Sequence, residues 1–166
     1  SGRHAAYYMQ CARLLQYPDV AGPLCEQLAS NFANQGITVV VGPAIGAIPL
    51  SYEVARVLGV KSIFAERENG EMTLRRGFEV SPQDKVLVVE DVITTGGSVK
   101  EVISLMQAKG AEVVGVGVLV DRSNGKIDFG VPLASLVSIE IESFEPEQCP
   151  LCAEGKIPVV KPGSRS

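Results

Sequence analysis

The stretch Val86-Leu87-Val88-Val89-Glu90-Asp91-Val92-Ile93-Thr94-Thr95-Gly96-Gly97-Ser98 constrains this chain more than any other. Its four leading apolar residues form a strand of the fully buried kind found in parallel sheets. Two adjacent carboxylates end it, and a loop of hydroxyl and glycine residues follows. A helix then begins near Ser98, with Val99, Val102, Ile103 and Met106 as one apolar stripe that stops at Gly110. Open α/β sheets bind their ligands at the carboxyl ends of the strands, where this loop stands.

The rest of the chain repeats the alternation. Residues 23–35 carry Cys25, Leu28, Ala29 and Phe32 at the spacing of one helix face, with Gly36 as the expected C-terminal cap. Residues 38–41 read as a buried strand, 51–58 as a helix ending at Gly59, and 60–65 as a strand. Residues 113–120 read as another strand and 136–141 as one more. The expectation is an α/β fold, a doubly wound and mainly parallel sheet flanked by helices. A length of 166 residues suits a single domain over 1–166, and 46% apolar residues rule out disorder as the dominant state. The longest nearly apolar stretch, residues 37–50, is broken by Gly42, Pro43, Gly46 and Pro49. It is shorter than the roughly 20 residues of a membrane span.

Two segments depart from the alternation. Asn69-Gly70 is a strong hairpin-turn signal, because both residues tolerate positive φ. Glu66, Arg67, Glu68 and Glu71 surround it and Arg75-Arg76 follow. Residues 67–74 are therefore expected to project as a charged hairpin, either a solvated excursion or a lid over substrate. Residues 146–166 form a tail rich in Pro and charge, frayed over 162–166.

Fifteen basic against 19 acidic residues give a net charge of −4, which argues against bulk binding to nucleic acid. A small anion is still admissible, since helix N–H groups hold phosphate without side-chain charge. Four cysteines make no disulfide framework, and Cys11 and Cys25 lie in apolar surroundings. With no signal peptide visible, the reducing cytoplasm is the expected compartment. The chain opens at Ser1 without Met, so a short preceding segment is expected to be missing. Cys149-Pro150-Leu151-Cys152 has the spacing of half a zinc knuckle, but no second pair stands near it in sequence. His4, the single histidine, is too little for a metal site or a triad and reads as a structural hydrogen-bonder. Two free thiols and no metal-ligating side chains are the expectation. A redox role is not expected, because this CxxC does not read as opening a helix after a strand.

Gly96 and Gly97 let the backbone approach a phosphate, while Thr94, Thr95 and Ser98 offer hydroxyl donors. The helix start adds unpaired N–H groups and a favourable dipole. No Lys follows the glycines, so this is not a Walker-type loop. Glu90 and Asp91 would repel a phosphate unless they face something else. Ribose hydroxyls, a Mg²⁺ ion, or both would supply that partner.

Residues 90–98 resemble the phosphoribosyl-diphosphate (PRPP) signature of the type I phosphoribosyltransferases. The wider chain resembles the orotate-specific branch of that family through Ser1-Gly2-Arg3-His4 with Tyr7-Tyr8, Val41-Gly42-Pro43-Ala44-Ile45-Gly46, Leu74-Arg75-Arg76-Gly77-Phe78 and Val120-Asp121-Arg122. The resemblance implies that Glu90 and Asp91 bind the ribose hydroxyls, with Val92 and Ile93 adjoining. It implies that Thr94, Thr95, Gly96, Gly97 and Ser98 hold the 5-phosphate. Ala44, Ile45 and Gly46 would meet the pyrophosphate in a loop where the family often has a non-proline cis peptide. Thr94 and Arg122 match orotate-contacting positions, and a guanidinium fork suits a planar carboxylate. Asp91, Glu90 and Arg67 are the candidate catalytic residues. Where the family commonly carries Lys and His in its loop, this chain reads Arg67-Glu68-Asn69-Gly70-Glu71-Met72, so Arg75 or Arg76 is a candidate to contribute instead. The implied reaction is phosphoribosyl transfer from PRPP to orotate, with Mg²⁺ held mainly through PRPP, in a cytoplasmic homodimer with no nucleic-acid or membrane partner. Transfer to another purine or pyrimidine base, and a non-catalytic PRPP-sensing regulator, are the alternatives.

Overall fold

In a computed structural model, residues 4–155 and 158–160 are described. Residues 1–3 and the tail beyond 160 lie outside them, including the stretch 162–166 expected to fray. In chain order the elements are β1 (His4–Ala5), α1 (Ala12–Leu15), α2 (Pro18–Ser30), β2 (Val39–Pro43), α3 (Ile48–Leu58), β3 (Lys61–Glu68) and β4 (Glu71–Thr73). There follow β5 (Lys85–Ile93), α4 (Gly97–Ala108), β6 (Glu112–Asp121), β7 (Leu133–Ser138) and β8 (Ser143–Phe144). A 3₁₀ turn, Pro146–Gln148, and α5 (Pro150–Glu154) complete them. Two compact units result, one of residues 11–139 and one of residues 1–10 with 140–166.

The larger unit is built on a six-stranded sheet in the order β4-β3-β2-β5-β6-β7. β3, β2, β5, β6 and β7 run parallel, and β4 returns antiparallel at the edge. The expected doubly wound α/β architecture is present. α2 and α3 pack on each other, and α4 lies against β2, β4, β5 and β6. The two sheet faces are covered separately. Val99, Val102, Ile103 and Met106 of α4 join Val39, Val41, Val86, Val88 and Val116 in one core cluster. On the other face the backbone comes so close to α2 and the turn after it that a Cβ on Gly117 would lie 3.3 Å from Leu28 and one on Gly115 would meet the Phe32 ring at 2.6 Å. β2, buried at every residue, needs its β-branched run because side chains pack on both of its faces.

The boundaries differ from the sequence reading in instructive ways. α2 begins five residues before the expected start, at Pro18, and carries Pro23 inside it. Pro18 has no N–H to lose at the first helical position, and the buried face Ala21, Cys25, Leu28 and Ala29 holds the helix across Pro23. It also ends at Ser30 rather than near Gln35, because the Asn31 side-chain amide donates to the Gln27 and Leu28 carbonyls and caps it there. Gly36, at φ +67°, turns the chain toward β2 instead of capping α2. β7 covers Leu133–Ser138, three residues ahead of the expected 136–141. The hairpin forms as read: Arg67 faces Met72 across it, and Asn69 and Gly70 turn with φ of 52° and 89°.

In the smaller unit β1 pairs antiparallel with β8, His4 opposite Phe144 and Ala5 opposite Ser143. Cys149 stands at the N-cap of α5, with Pro150 at its first position. The CxxC therefore opens a short helix, but it does so after a 3₁₀ turn and not after a strand, in keeping with the sequence reading. The Pro at N1 was the signal.

Candidate functional site

The strand order turns the chain back between β2 and β5. β2 leads through α3 to β3 on one side, while β5 pairs with β2 on the other. Such a switch point splays the loops that leave neighbouring strands and opens a crevice at their carboxyl ends. The loops concerned are residues 44–46 after β2 and 94–96 after β5. β6 adds its own end, since its register sets Ile93 beside Asp121.

The acid pair lies within β5, near its carboxyl end, and both residues are half-buried. Each carboxylate takes a neighbouring backbone donor, Asp91 N–H to Glu90 Oε1 at 3.2 Å and Val92 N–H to Asp91 Oδ1 at 2.9 Å. Gly46 comes against Asp91 so tightly that a Cβ would lie 3.3 Å from Oδ2. That contact brings the 44–46 loop onto the acid pair, and the Ala44–Ile45 peptide in it is cis. Gly42, just before, admits no side chain: a Cβ would meet the Ala47 Cβ at 2.7 Å. Cys11 Sγ lies 4.0 Å from the Asp91 carbonyl, and its thiol is pushed up to about 11 by burial and then by the Asp91 charge. Cys11 is inert as a nucleophile at neutral pH.

Past Ile93 the chain exposes Thr94 and Thr95 and turns at Gly96, whose φ is +71°. A Cβ on Gly96 would sit 2.8 Å from the Phe129 ring, so both conformation and space demand glycine. Gly96 is also the N-cap of α4, with no side-chain cap hydrogen bond. The first-turn N–H groups of α4 are thus left for an anion, and the helix dipole favours one.

Arg122 joins this group through backbone as well as sequence position. Its N–H donates to the Ile93 carbonyl at 2.9 Å, extending the β5–β6 ladder toward Thr94. Among the described residues its Nε is the one buried side-chain nitrogen or oxygen with no hydrogen-bond partner. A buried, unsatisfied guanidinium donor costs on the order of 1–3 kcal/mol, so its position calls for an acceptor that the described residues do not supply.

Asp121 holds the turn that carries Arg122, a role the sequence reading did not assign. Its carboxylate accepts from Ser123 N–H at 2.7 Å, Ser123 Oγ–H at 2.6 Å and Gly125 N–H at 2.9 Å. Burial pushes this carboxyl up, but those three donors together outweigh it and hold the group below the usual carboxylate range. An Asp followed by Ser-Asn-Gly was the available signal for such a turn.

Arg67 stands apart from the acid pair. Its guanidinium donates to the Gly70 carbonyl at 2.8 Å and pairs with Glu101 of α4 at 2.7 Å. With Met72, Lys100 and Leu105 it lines an open depression of about 560 Å³ between hairpin and helix. Arg75 pairs with Glu68 at 3.3 Å and Arg76 with Glu66 at 3.0 Å, so the acidic residues of the hairpin engage its arginines.

Residues 13–143 match the phosphoribosyl transferase domain family. The chain is 61% identical over 165 residues to an orotate phosphoribosyltransferase of Caldicellulosiruptor bescii, covering 99% of this chain and 86% of that one. It is 56% identical over 165 residues to an orotate phosphoribosyltransferase of Thermotoga maritima, covering 99% and 88%. Among solved structures it is similar to the Mycobacterium tuberculosis orotate phosphoribosyltransferase in complex with Fe(III) dicitrate. That likeness has a TM-score of 0.70 at 27% identity, over 83% of this chain and 87% of that one. The adenine phosphoribosyltransferase of Rhodothermus marinus shares the fold, with a TM-score of 0.68 at 22% identity over 83% and 94%.

Proposed function

The chain belongs to the orotate phosphoribosyltransferases of the phosphoribosyl transferase domain family, and from that membership we propose how its site carries the reaction. The activity is transfer of the phosphoribosyl group of PRPP to orotate, giving orotidine 5′-phosphate and pyrophosphate in pyrimidine biosynthesis. The 5-phosphate sits on the uncapped first turn of α4, held by N–H groups and by the hydroxyls of Thr94, Thr95 and Ser98. Glu90 and Asp91 grip the ribose hydroxyls and fix the sugar so that C1 faces the base. Positioning of this kind lowers the barrier without proton transfer. As the C1–pyrophosphate bond breaks, the ring acquires positive charge, and the orotate ring nitrogen attacks from the opposite face. The loop of Ala44, Ile45 and Gly46 lines the leaving-group side.

Arg122 reads the base. Its buried Nε, partnerless among the described residues, is the single observation that most favours an acidic base over a neutral one, because a carboxylate supplies the acceptor that those residues withhold. Thr94, adjoining the Ile93–Arg122 backbone contact, offers a hydroxyl to the same ligand.

Glu90 and Asp91 present the hard oxygen donors that suit Mg²⁺ ligated mainly by substrate phosphates. When bound, that ion would neutralise charge on the departing pyrophosphate. A homodimer is also proposed: Ile45 of the 44–46 loop is 80% exposed and Tyr52 of α3 67%, apolar surface that a second copy would cover. The four free cysteines favour the cytoplasm. Arg67 acts from the hairpin after exchanging Glu101 for substrate.

The test is pyrophosphate release from PRPP with orotate, uracil, adenine and hypoxanthine, with and without Mg²⁺. Release with orotate alone, dependent on Mg²⁺, is the expected result. Release with a neutral base instead, or PRPP binding without turnover for any base, would overturn the proposal.

A further inference from the structure

The smaller unit gathers three ligating side chains that the reaction does not use. His4 Nδ1 lies 3.1 Å from Cys152 Sγ across 148 residues of sequence. His4 Nδ1 and the sulfurs of Cys149 and Cys152 all lie within 4.8 Å of one another. The pairing of β1 with β8 brings the imidazole to this place. Cys149 at the N-cap of α5 and Cys152 inside its first turn offer their sulfurs to the same point. Sequence proximity alone could not supply the third ligand, which is why the CxxC read as two free thiols.

We propose that His4, Cys149 and Cys152 form a zinc site that ties β1 to α5, with water in the fourth position. Two thiols and an imidazole are a donor set that zinc prefers. Zn–S bonds of about 2.3 Å and Zn–N bonds of about 2.0 Å in a tetrahedron put sulfur atoms about 3.8 Å apart and sulfur and nitrogen about 3.5 Å apart. His4 Nδ1 and Cys152 Sγ, at 3.1 Å, need to part by about 0.4 Å, and the other two separations, both within 4.8 Å, need to close by no more than about 1.3 Å. Binding releases one proton from each thiol to solvent. Two thiolates then cancel the 2+ charge of the ion, so the assembled site is neutral. That neutrality matters because Cys149 is buried.

The unit that holds the cluster has reason to need it. Among its described residues the secondary structure is two strands of two residues, one 3₁₀ turn and a helix of five residues. Elements this short bury too little apolar surface to hold one another, and small modules commonly rely on a metal or disulfides. Cys149 and Cys152 form no disulfide.

The experiment uses the full chain purified under reducing conditions from zinc-supplemented culture without chelators or a histidine tag. Elemental analysis should give about one zinc per chain, and exchange with Co²⁺ should give thiolate-to-cobalt charge transfer with the intense visible bands of tetrahedral geometry. Cys152→Ser and His4→Gln should each weaken zinc retention against a chromophoric chelator by roughly a hundredfold or more. These two variants are preferred to Cys149→Ser because Cys149 is buried and its loss could disturb folding. Zinc removal should lower the melting temperature of the wild type and leave that of Cys152→Ser unchanged. Background zinc with no cobalt bands in a folded, reduced protein would overturn the proposal. So would full zinc retention in both variants, or a Cys149–Cys152 disulfide as the stable form with no metal bound after its reduction.

Discussion

Replacing Asp121 by Asn tests how the Arg122 turn is held. The carboxylate accepts three hydrogen bonds of 2.6–2.9 Å, two on Oδ1 from Ser123 and one on Oδ2 from Gly125. Asparagine is nearly isosteric and can keep its oxygen on Ser123, but without the charge. Its amide then points a donor at the Gly125 N–H, leaving two donors face to face. A hydrogen bond to a charged group is worth about 1.5–3 kcal/mol, and the exposure of Gly125 lets water restore part of the loss. The expected destabilisation is therefore about 2–4 kcal/mol, read as a lower urea midpoint at pH 7 with an unchanged m-value. The pH dependence follows from the depressed pKa. The folded carboxyl titrates below its unfolded value, so its contribution is fully present above the ordinary carboxylate pKa and is lost as pH falls through the folded pKa. The gap between wild type and Asp121→Asn should thus be widest near neutrality and close in acid. A gap under about 0.5 kcal/mol at pH 7, or one that persists undiminished below the folded pKa, would refute the reasoning.

Four further substitutions address the site and the hairpin. Gly96→Ala forces a Cβ to 2.8 Å from Phe129 at a φ of +71°, which should cost about 2–4 kcal/mol and weaken PRPP binding; calorimetry and ligand titration check both. Asp91→Asn should leave the melting temperature within a few degrees while turnover falls at least roughly a hundredfold, measured as pyrophosphate release. Glu101→Gln removes the Arg67 partner at an exposed pair, so stability should change by less than about 1 kcal/mol, whereas Arg67→Gln should lower kcat; equal kinetics in both variants would remove Arg67 from the reaction.

The sequence carried most of what depends on local pattern. Residues 86–98 announced the buried strand, the acid pair and the glycine turn into α4, because periodicity and glycine punctuation are read within a short window. Asn69-Gly70 likewise fixed the hairpin through its own backbone preferences. What stayed hidden depends on neighbours distant in the chain. Gly36 read as a helix cap, but Asn31 reaches back to the Gln27 and Leu28 carbonyls and ends α2 first. The demand for glycine at position 96 comes partly from Phe129, which no local signal connects to it. Contact of Gly46 with the Asp91 carboxylate arises only when β2 and β5 pair at the switch point. His4 and the CxxC meet only through the β1–β8 pairing, so ligand counting along the chain stopped at two.

Kinetics of Arg122→Leu bear most directly on the assignment of the base pocket. Leucine retains an apolar side chain at the end of β6 but cannot answer a carboxylate. Loss of one charge-assisted contact costs about 1.5–3 kcal/mol, roughly tenfold to over a hundredfold in binding. The KM for orotate should rise, or kcat/KM fall, by that factor while the affinity for PRPP stays within about twofold, since the proposal puts the 5-phosphate at the start of α4 and not on Arg122. Unchanged orotate kinetics, or an equal fall in affinity for both substrates, would contradict the account and return Arg122 to a structural role.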